Sequence, residues 1–410
     1  MLRKEIPASL QLVRKGGVTS ALGFQAAALA SGIKKKGKKD LALIVSTAPA
    51  QVAGVFTLNQ VKAAPVRLCM RHVRNGAARA IVVNSGNANA CTGVQGINNA
   101  CEMAAIAAEA LGVKKTEVLV CSTGRIGVQM PMPKVKRGII RAVKRLATEE
   151  GTQAAKAIMT SDTRRKEIAV RFKIDGRKVT IGGMAKGAGM IHPNMATMLA
   201  FITTDAQIDK PTLKRCLEES VERTFNRISV DGDMSTNDTV LVLANGLAGN
   251  HPLKSYHRQL GLFQQALDFV AKRLAQMIVE DGEGASKIVE VAIKGARNHS
   301  DAKAAAEAIG RSMLVKTSWC GGDANWGRLM DAIGYSSARI REELVEIYYN
   351  GVLAVANGQP SRTPLARLLK VVRKPNFAIT VHLHSGHGEY NLLTTDLTER
   401  YVEINRSKGG

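Results

Sequence analysis

Aromatic residues are scarce in this 410-residue chain: Phe, Trp and Tyr together make up 4% of it. With so few rings and no recognised nucleic-acid motif, the chain lacks the stacking platforms of nucleic-acid binders, and nucleic acid is not an expected partner. Six cysteines (Cys69, Cys91, Cys101, Cys121, Cys216, Cys320) are scattered without a Cys-x-x-Cys pair. That argues against a zinc cluster or a disulfide framework and fits a reducing compartment. No run is long and apolar enough to cross a bilayer, so no membrane partner is expected. Residues 1–7 lack the apolar stretch of a secretory signal, which makes the cytoplasm the expected location. Acidic residues are few as well: 34 Asp+Glu stand against 58 Lys+Arg, a formal net charge of +24.

What is present is a 45% hydrophobic share with 22% charged residues, the balance of a globular protein, and enough length for two or three domain-sized cores. The basic residues gather at 34–39 and along 134–145. The first group reads as a loop between apolar segments. The second sits on a helix expected over 134–147, whose apolar positions Val135, Ile139, Ile140, Val143 and Leu146 recur at helical spacing. A solvated basic face accounts for this charge, with attraction of anionic substrates as the alternative.

Strand-like runs at 41–46, 54–57, 80–83, 118–121, 178–181, 197–203, 240–243 and 287–293 are interleaved with helical stretches at 98–111, 210–227, 257–279 and 302–312. The fold class is therefore α/β or α+β. Segments 281–286 and 321–327 read as loops. The polar stretch 231–238 does not fit the spacing of a calcium loop and reads as hydrogen-bonding structure. His382 and His384 are expected on one strand face with His387 in a turn. Exposed imidazoles on a hairpin explain them as well as a ligand set does, so no metal is assigned.

The most informative stretch is 182–205, in which Gly182, Gly183, Gly187 and Gly189 lead to Ala196-Thr197-Met198 and then an apolar run. Glycines permit a tight backbone approach. A threonine opening a strand can attack the preceding carbonyl, here that of Ala196, and form an ester whose hydrolysis frees the Thr197 amine. That amine would titrate near pH ~8 and could serve as base for its own hydroxyl.

This block resembles the self-cleaving site of the ornithine acetyltransferase (glutamate N-acetyltransferase) family. The resemblance runs over nearly the whole chain. It includes Phe-Thr-Leu-Asn-Gln-Val-Lys-Ala-Ala-Pro at 56–65, Asn-Ser-Gly-Asn-Ala-Asn-Ala-Cys-Thr-Gly at 84–93 and Cys-Ser-Thr-Gly-Arg-Ile-Gly at 121–127. It continues with Ala-Ile-Met-Thr-Ser-Asp-Thr at 157–163, Asp-Gly-Asp-Met-Ser-Thr-Asn-Asp-Thr at 231–239, Gly-Asp-Ala-Asn-Trp-Gly-Arg at 322–328 and Thr-Thr-Asp-Leu-Thr at 394–398. Several blocks in one order are far more specific than any single motif.

The resemblance implies a layered helix–sheet–sheet–helix sandwich with the nucleophile between the layers. It implies Thr197 as nucleophile, cleavage between Ala196 and Thr197 into pieces 1–196 and 197–410, and an oxyanion hole made by the Thr123 hydroxyl and the Gly124 N–H. Thr160, Lys186, Thr197, Glu283 and Asn405 match the family's substrate contacts. Lys186 suits a carboxylate, and Glu283 suits an ammonium group. His192, five residues before Thr197, is an exposed turn residue rather than a base on this reading. Gly410 stands where the resemblance leads one to expect the family's terminal hydroxyl contact, with Ser407 as its substitute.

The implied function is a ping-pong transfer of acetyl from N-acetylornithine to glutamate, the recycling step of arginine biosynthesis. It needs no cofactor and leaves acetyl-coenzyme A open as a second donor. The implied assembly is an α2β2 heterotetramer of the two pieces. Two rivals stand beside it: an N-terminal-nucleophile aminopeptidase or amidohydrolase on the same fold, and an inactive basic binding protein.

Overall fold

The computed structural model describes residues 6–35, 37–192 and 198–406. Nine strands form its larger sheet: β1 (Gln11–Leu12), β2 (Phe24–Leu29), β3 (Leu41–Phe56), β4 (Ala77–Asn87), β5 (Val118–Arg125), β6 (Lys166–Ile174), β7 (Arg177–Lys186), β8 (Leu199–Thr204) and β9 (Thr239–Ala244). Their spatial order is β1-β6-β7-β8-β9-β3-β4-β5, with β2 paired to β3. The long β3 turns this one sheet into two layers. Its start pairs with β2 and β4, its end at 51–56 pairs with β9, and the register against β4 shifts between Val45 and Ala50. Pro49 falls in that irregular stretch, where a missing N–H is tolerated. The sequence predicts two strands here, 41–46 and 54–57; the structure joins them because the proline bends the strand without ending it.

Helices α1 (Ala64–Val73), α2 (Gly93–Leu111) and α3 (Met132–Val143) cover one outer face, against Leu29, Leu41, Leu43, Val82 and Val120. The opposite face of those strands, with Ala28, Ile44, Ile81 and Leu119, meets Met184, Leu199, Phe201 and Leu241 of the second layer. Helix α4 (Gly151–Ala157) adds Ala154 and Ala155 to this central core. On the far side, Ile168, Ile181, Ile202 and Val242 pack under α5 (Lys210–Arg223) and α6 (Leu260–Glu280). The result is the helix–sheet–sheet–helix sandwich that the resemblance implies. Strands β8 and β9 are buried along their whole length, which is why both read as unbroken apolar runs rather than alternating ones.

A second sheet stands beside the sandwich. It contains β10 (Ile288–Ala296), β11 (Glu346–Tyr349), β12 (Val352–Ala356), β13 (Gln359–Pro360), β14 (Asn376–His382) and β15 (Gly388–Thr395), in the order β13-β12-β11-β14-β10-β15. Helices α7 (His299–Arg311), α8 (Met313–Cys320), α9 (Trp326–Gly334) and α10 (Leu365–Val372) share its core through Ile309, Trp319, Leu329 and Leu368. The sequence predicts only pieces of this lobe, and α9 begins inside the loop expected over 321–327. Helix α5 stops at Arg223 and gives way to a single 3-10 turn, Phe225–Arg227, short of the helix expected to 227. Ile140 is exposed rather than buried, because it falls outside the stripe of Val135, Ile139 and Ala142 that α3 turns inward. The chain then returns to the sandwich in α11 (Glu399–Arg406). No helix among the described residues is long and apolar enough to cross a membrane.

Candidate active site

The end of β5 carries Thr123 and Gly124. It runs parallel to β4, with Thr123 opposite Ser85 and Gly124 opposite Gly86. Gly124 has φ +133°, and a Cβ there would lie 2.3 Å from the Gly86 carbonyl carbon and 2.5 Å from the Asn87 nitrogen. Only glycine fits this backbone-on-backbone contact. Asn237 locks the strand end by donating through Nδ2 to the carbonyls of Ser122 (2.8 Å) and Ala88 (2.7 Å). Thr123 is buried.

Lys186 ends β7 in the other layer, in register with Leu199 of β8. Its Nζ donates to Thr123 Oγ1 at 3.3 Å, so one buried lysine joins the two layers at the site. Burial lowers its pKa, against the pull of Asp162, Asp238 and Glu283.

Asp162 organises the wall beside it. One carboxylate oxygen accepts from Lys166 Nζ (2.6 Å) and the Gly187 N–H (2.7 Å), the other from the Thr160 N–H (2.9 Å). Burial alone would push Asp162 up, but Lys186, Lys166 and the Gly187 N–H overcome it and hold the carboxyl well below the usual range. Lys166, itself fully buried, also bonds Asp281 at 2.6 Å. This network sets the segment bearing Thr160, whose own side chain is exposed.

Asp238 is held differently. Its Oδ1 accepts from the Met198 N–H at 2.8 Å, and the Met198 carbonyl accepts from the Thr239 N–H at 3.1 Å. Its Oδ2 is buried with no hydrogen-bond partner among the described residues. Burial raises its pKa well above the usual carboxylate value. Ala196 and Thr197 lie outside the described residues, as do Ser407 and Gly410. Met198, the residue after the expected nucleophile, is thus anchored between Asp238 and Thr239.

The third wall comes from 283–284 and α11. The Glu283 N–H donates to the Ala188 carbonyl at 2.7 Å, and Glu283 fills the space where a Cβ on Gly189 would stand, 2.6 Å from its Cδ. Asn405 Nδ2 donates to Glu283 Oε2 at 2.9 Å. Tyr401 from the same helix donates to Asp231 Oδ2 at 3.2 Å, and Asp231 accepts from the N–H groups of Met190 (2.6 Å) and Ile191 (2.8 Å). Thr123 and Glu283 therefore flank the glycine-rich 186–191 stretch that Lys186 opens, with Gly124 next to Thr123, Asn405 on Glu283 and Thr160 tied to the stretch through Asp162.

Sequence reasoning assigned no role to Asp162 or Lys166, and gave Asn237 and Asp238 only the hydrogen bonding expected of 231–238. Asp162 stands in the 157–163 block, while Lys166 lies outside every block and carried no signal. His192 corrects an expectation: it is buried, not exposed, and burial together with Arg311 and Lys303 pushes its pKa down to about 4. It is neutral at pH 7, with Nδ1 3.5 Å from Ser229 Oγ. The His382 and His384 rings stack 3.7 Å apart, and His384 Nε2 meets Glu346 Oε2 at 3.0 Å. His384 lies past the end of β14, so the two do not share a strand face.

A family model described as the ArgJ family matches residues 25–407. The arginine biosynthesis bifunctional protein ArgJ of Symbiobacterium thermophilum is 49% identical over 394 residues, 96% of this chain and 98% of that one. Its namesake in Geobacter sulfurreducens is 49% identical over 384 residues, 93% of this chain and 98% of that one. A crystal structure of ornithine acetyltransferase with ornithine from Mycobacterium tuberculosis is 41% identical, covering 45% of this chain and 98% of that chain with a TM-score of 0.42.

Proposed function

The chain belongs to the ArgJ family, and on that premise we propose that it cuts itself before Thr197 and then moves acetyl groups from N-acetylornithine to glutamate. The observation that carries this reading is the bridge from Lys186 to Thr123 at 3.3 Å. It ties the strand pairing with the start of β8 to the strand end that bears Gly124.

In self-processing, the Thr197 hydroxyl attacks the Ala196 carbonyl, the peptide C–N bond breaks, and water hydrolyses the resulting ester. The freed amine then takes the proton from its own hydroxyl as that oxygen attacks the acetyl carbonyl. The acetyl C–N bond breaks and ornithine leaves with the proton. Glutamate's amine next attacks the acetyl-threonine ester, and the threonine oxygen regains a proton. Covalent catalysis thus divides a hard amine-to-amine transfer into two easier steps. Thr123 and Gly124 would donate to the oxyanion in both, each worth about 10²–10³ in rate. Lys186 would face a substrate carboxylate, Glu283 and Asn405 its amino end, and Thr160 the rim.

The route calls for no cofactor. Relatives at 49% identity are named bifunctional, which supports acetyl-coenzyme A as second donor and favours transfer over the aminopeptidase reading. A cytoplasmic α2β2 assembly of pieces 1–196 and 197–410 completes the proposal. Insertion of β8 between β7 and β9 supports its cohesion, since both pieces would share one hydrogen-bonded sheet.

The test is the denatured mass of the protein beside Thr197→Ala, followed by transfer assays. Two fragments meeting at 196/197, an uncut variant and N-acetylglutamate as product are expected. A wild-type chain that stays whole, or release of free acetate alone, would overturn the reading.

A further inference from the structure

The block Thr-Thr-Asp-Leu-Thr at 394–398, one of those that carry the family resemblance, has no part in the site described above. It ends β15 and leads into α11, and a buried lysine from the second lobe meets it there. Lys316 lies in α8, is 2% exposed and forms no ion pair among the described residues. Its Nζ donates to Thr394 Oγ1 (3.2 Å), Thr395 Oγ1 (3.3 Å) and the Thr395 carbonyl. An ammonium offers three donors, and one dipeptide supplies all three acceptors. The Lys316 carbonyl in turn accepts from the Leu397 N–H at 3.3 Å, so α8 holds the block on both sides of Asp396. Asp396 itself accepts from the N–H groups of Ser286 (2.9 Å) and Lys287 (3.0 Å) and from the Ser286 hydroxyl.

A charge kept out of water with only hydroxyl and carbonyl partners is costly. Burial lowers the Lys316 pKa to about 8, against the pull of Asp396 and Asp231. An apolar side chain would fill a core position at less cost, so the ammonium has a task that packing alone does not perform. That task is visible in what the junction carries. Thr398 Oγ1 donates to the Gly284 carbonyl at 2.6 Å. Gly284 has φ +70°, and a Cβ there would lie 2.5 Å from the Tyr401 nitrogen, so α11 rests directly on the residue after Glu283. From that seat Asn405 reaches Glu283 and Tyr401 reaches Asp231. The same junction backs the segment that holds 190–191. The Ser229 N–H donates to the Leu393 carbonyl at 2.9 Å, and the Val230 N–H to the Ile191 carbonyl at 2.8 Å.

We propose that Lys316 is a positioning residue for the amino end of the substrate: by docking the end of β15, it holds α11 where Asn405 and Glu283 meet that group. The inference rests on the acetyl-transfer reading, which gives Glu283 and Asn405 that role. Lys316 makes no hydrogen bond to Thr123, Gly124 or Lys186, and the strand end bearing the first two is held by Asn237. Loss of the ammonium therefore frees one wall and leaves the acyl-transfer machinery in place. Binding of either amino acid would then have to order α11, a cost that falls on KM rather than on kcat.

Lys316→Met keeps the length of the side chain and removes its charge. Variant and wild type are compared in self-cleavage, acetyl transfer, ornithine affinity and hydrogen exchange of residues 399–406. The variant is expected to cut itself fully and to keep kcat within about twofold. Its KM for N-acetylornithine and for glutamate, and its Kd for ornithine, should each rise about tenfold. Exchange should quicken in 399–406 and hold in 118–125. Thr395→Val, which removes one acceptor, should shift KM the same way by a smaller factor. If Lys316→Met does not fold, Thr395→Val decides, and an unchanged KM there overturns the proposal. So does an unchanged KM in folded, cut Lys316→Met, a fall confined to kcat, or unaltered exchange in α11. A lower melting temperature with all of these unmoved would show a purely structural lysine. Failure of the cut wild type to transfer acetyl would sink the underlying reading instead, with α11 exchange still deciding the docking.

Discussion

Asp162 and Asp238 both lie buried near Lys186, yet they are held in opposite ways. Asp162 receives Lys166, the Gly187 N–H and the Thr160 N–H, and its pKa falls. Asp238 receives the Met198 N–H on one oxygen, has no partner for the other among the described residues, and its pKa rises. The same side chain thus serves two ends. A fully compensated carboxylate fixes the shape of its wall, because breaking it costs far more than forming it gained. An under-compensated one next to Met198 stays receptive to a cation, and the proposed cleavage creates one at Thr197.

The contrast can be broken most severely at Asp162. Asp162→Asn leaves Lys166 and Lys186 with too little negative charge in a buried setting, and should cost about 3–5 kcal/mol in denaturant unfolding. Gly124→Ala comes next: its methyl would meet the Gly86 backbone at 2.3 Å under a positive φ. Strain of about 1–3 kcal/mol is expected in thermal unfolding, and kcat should fall about 100-fold or more with the oxyanion donor displaced.

Asp238→Asn has the smallest effect and the sharpest signature. A carboxyl whose pKa is raised in the folded state stabilises the protein fully below its unfolded pKa of ~3.9, and that contribution is lost as pH rises through the folded value. The variant lacks this loss. Its melting temperature relative to wild type should therefore climb as pH rises from about 4 towards the raised folded value. The deficit of Asp162→Asn should stay level over that range, since the lowered pKa of Asp162 places its titration below the range. Parallel pH curves for the two variants would contradict the contrast.

Much of the site was legible. Gly124 and Lys186 stood in distinctive blocks and Glu283 in an acidic loop, and the structure sets Lys186 against Thr123 and Glu283 against Gly189. Asp162 and Asp238 stood in equally distinctive blocks, Asp238 with hydrogen bonding expected of its stretch and Asp162 with no label, because an aspartate in a polar turn looks the same whether solvated or buried. His192 misled for the same reason: its neighbours along the chain are turn formers, while Arg311 and Lys303, which help hold it neutral, come from α7 more than a hundred residues away. The second sheet was the largest gap. Its short strands and helices are individually too weak in period to be read, and they cohere only through a core shared by residues from 289 to 392.

By itself the sequence determined the family, the alternation of helices and strands, the glycines demanded by tight backbone contacts, and the inventory of reactive groups. These depend on residue type, order and local period. The tertiary structure alone decided which charges are paired, which carboxylate oxygen is left without a partner among the described residues, and that Lys34 abuts Gly86 and hence Gly124. Those properties follow from burial and from distances across layers, and electrostatic energy depends on separation and surrounding dielectric rather than on position along the chain.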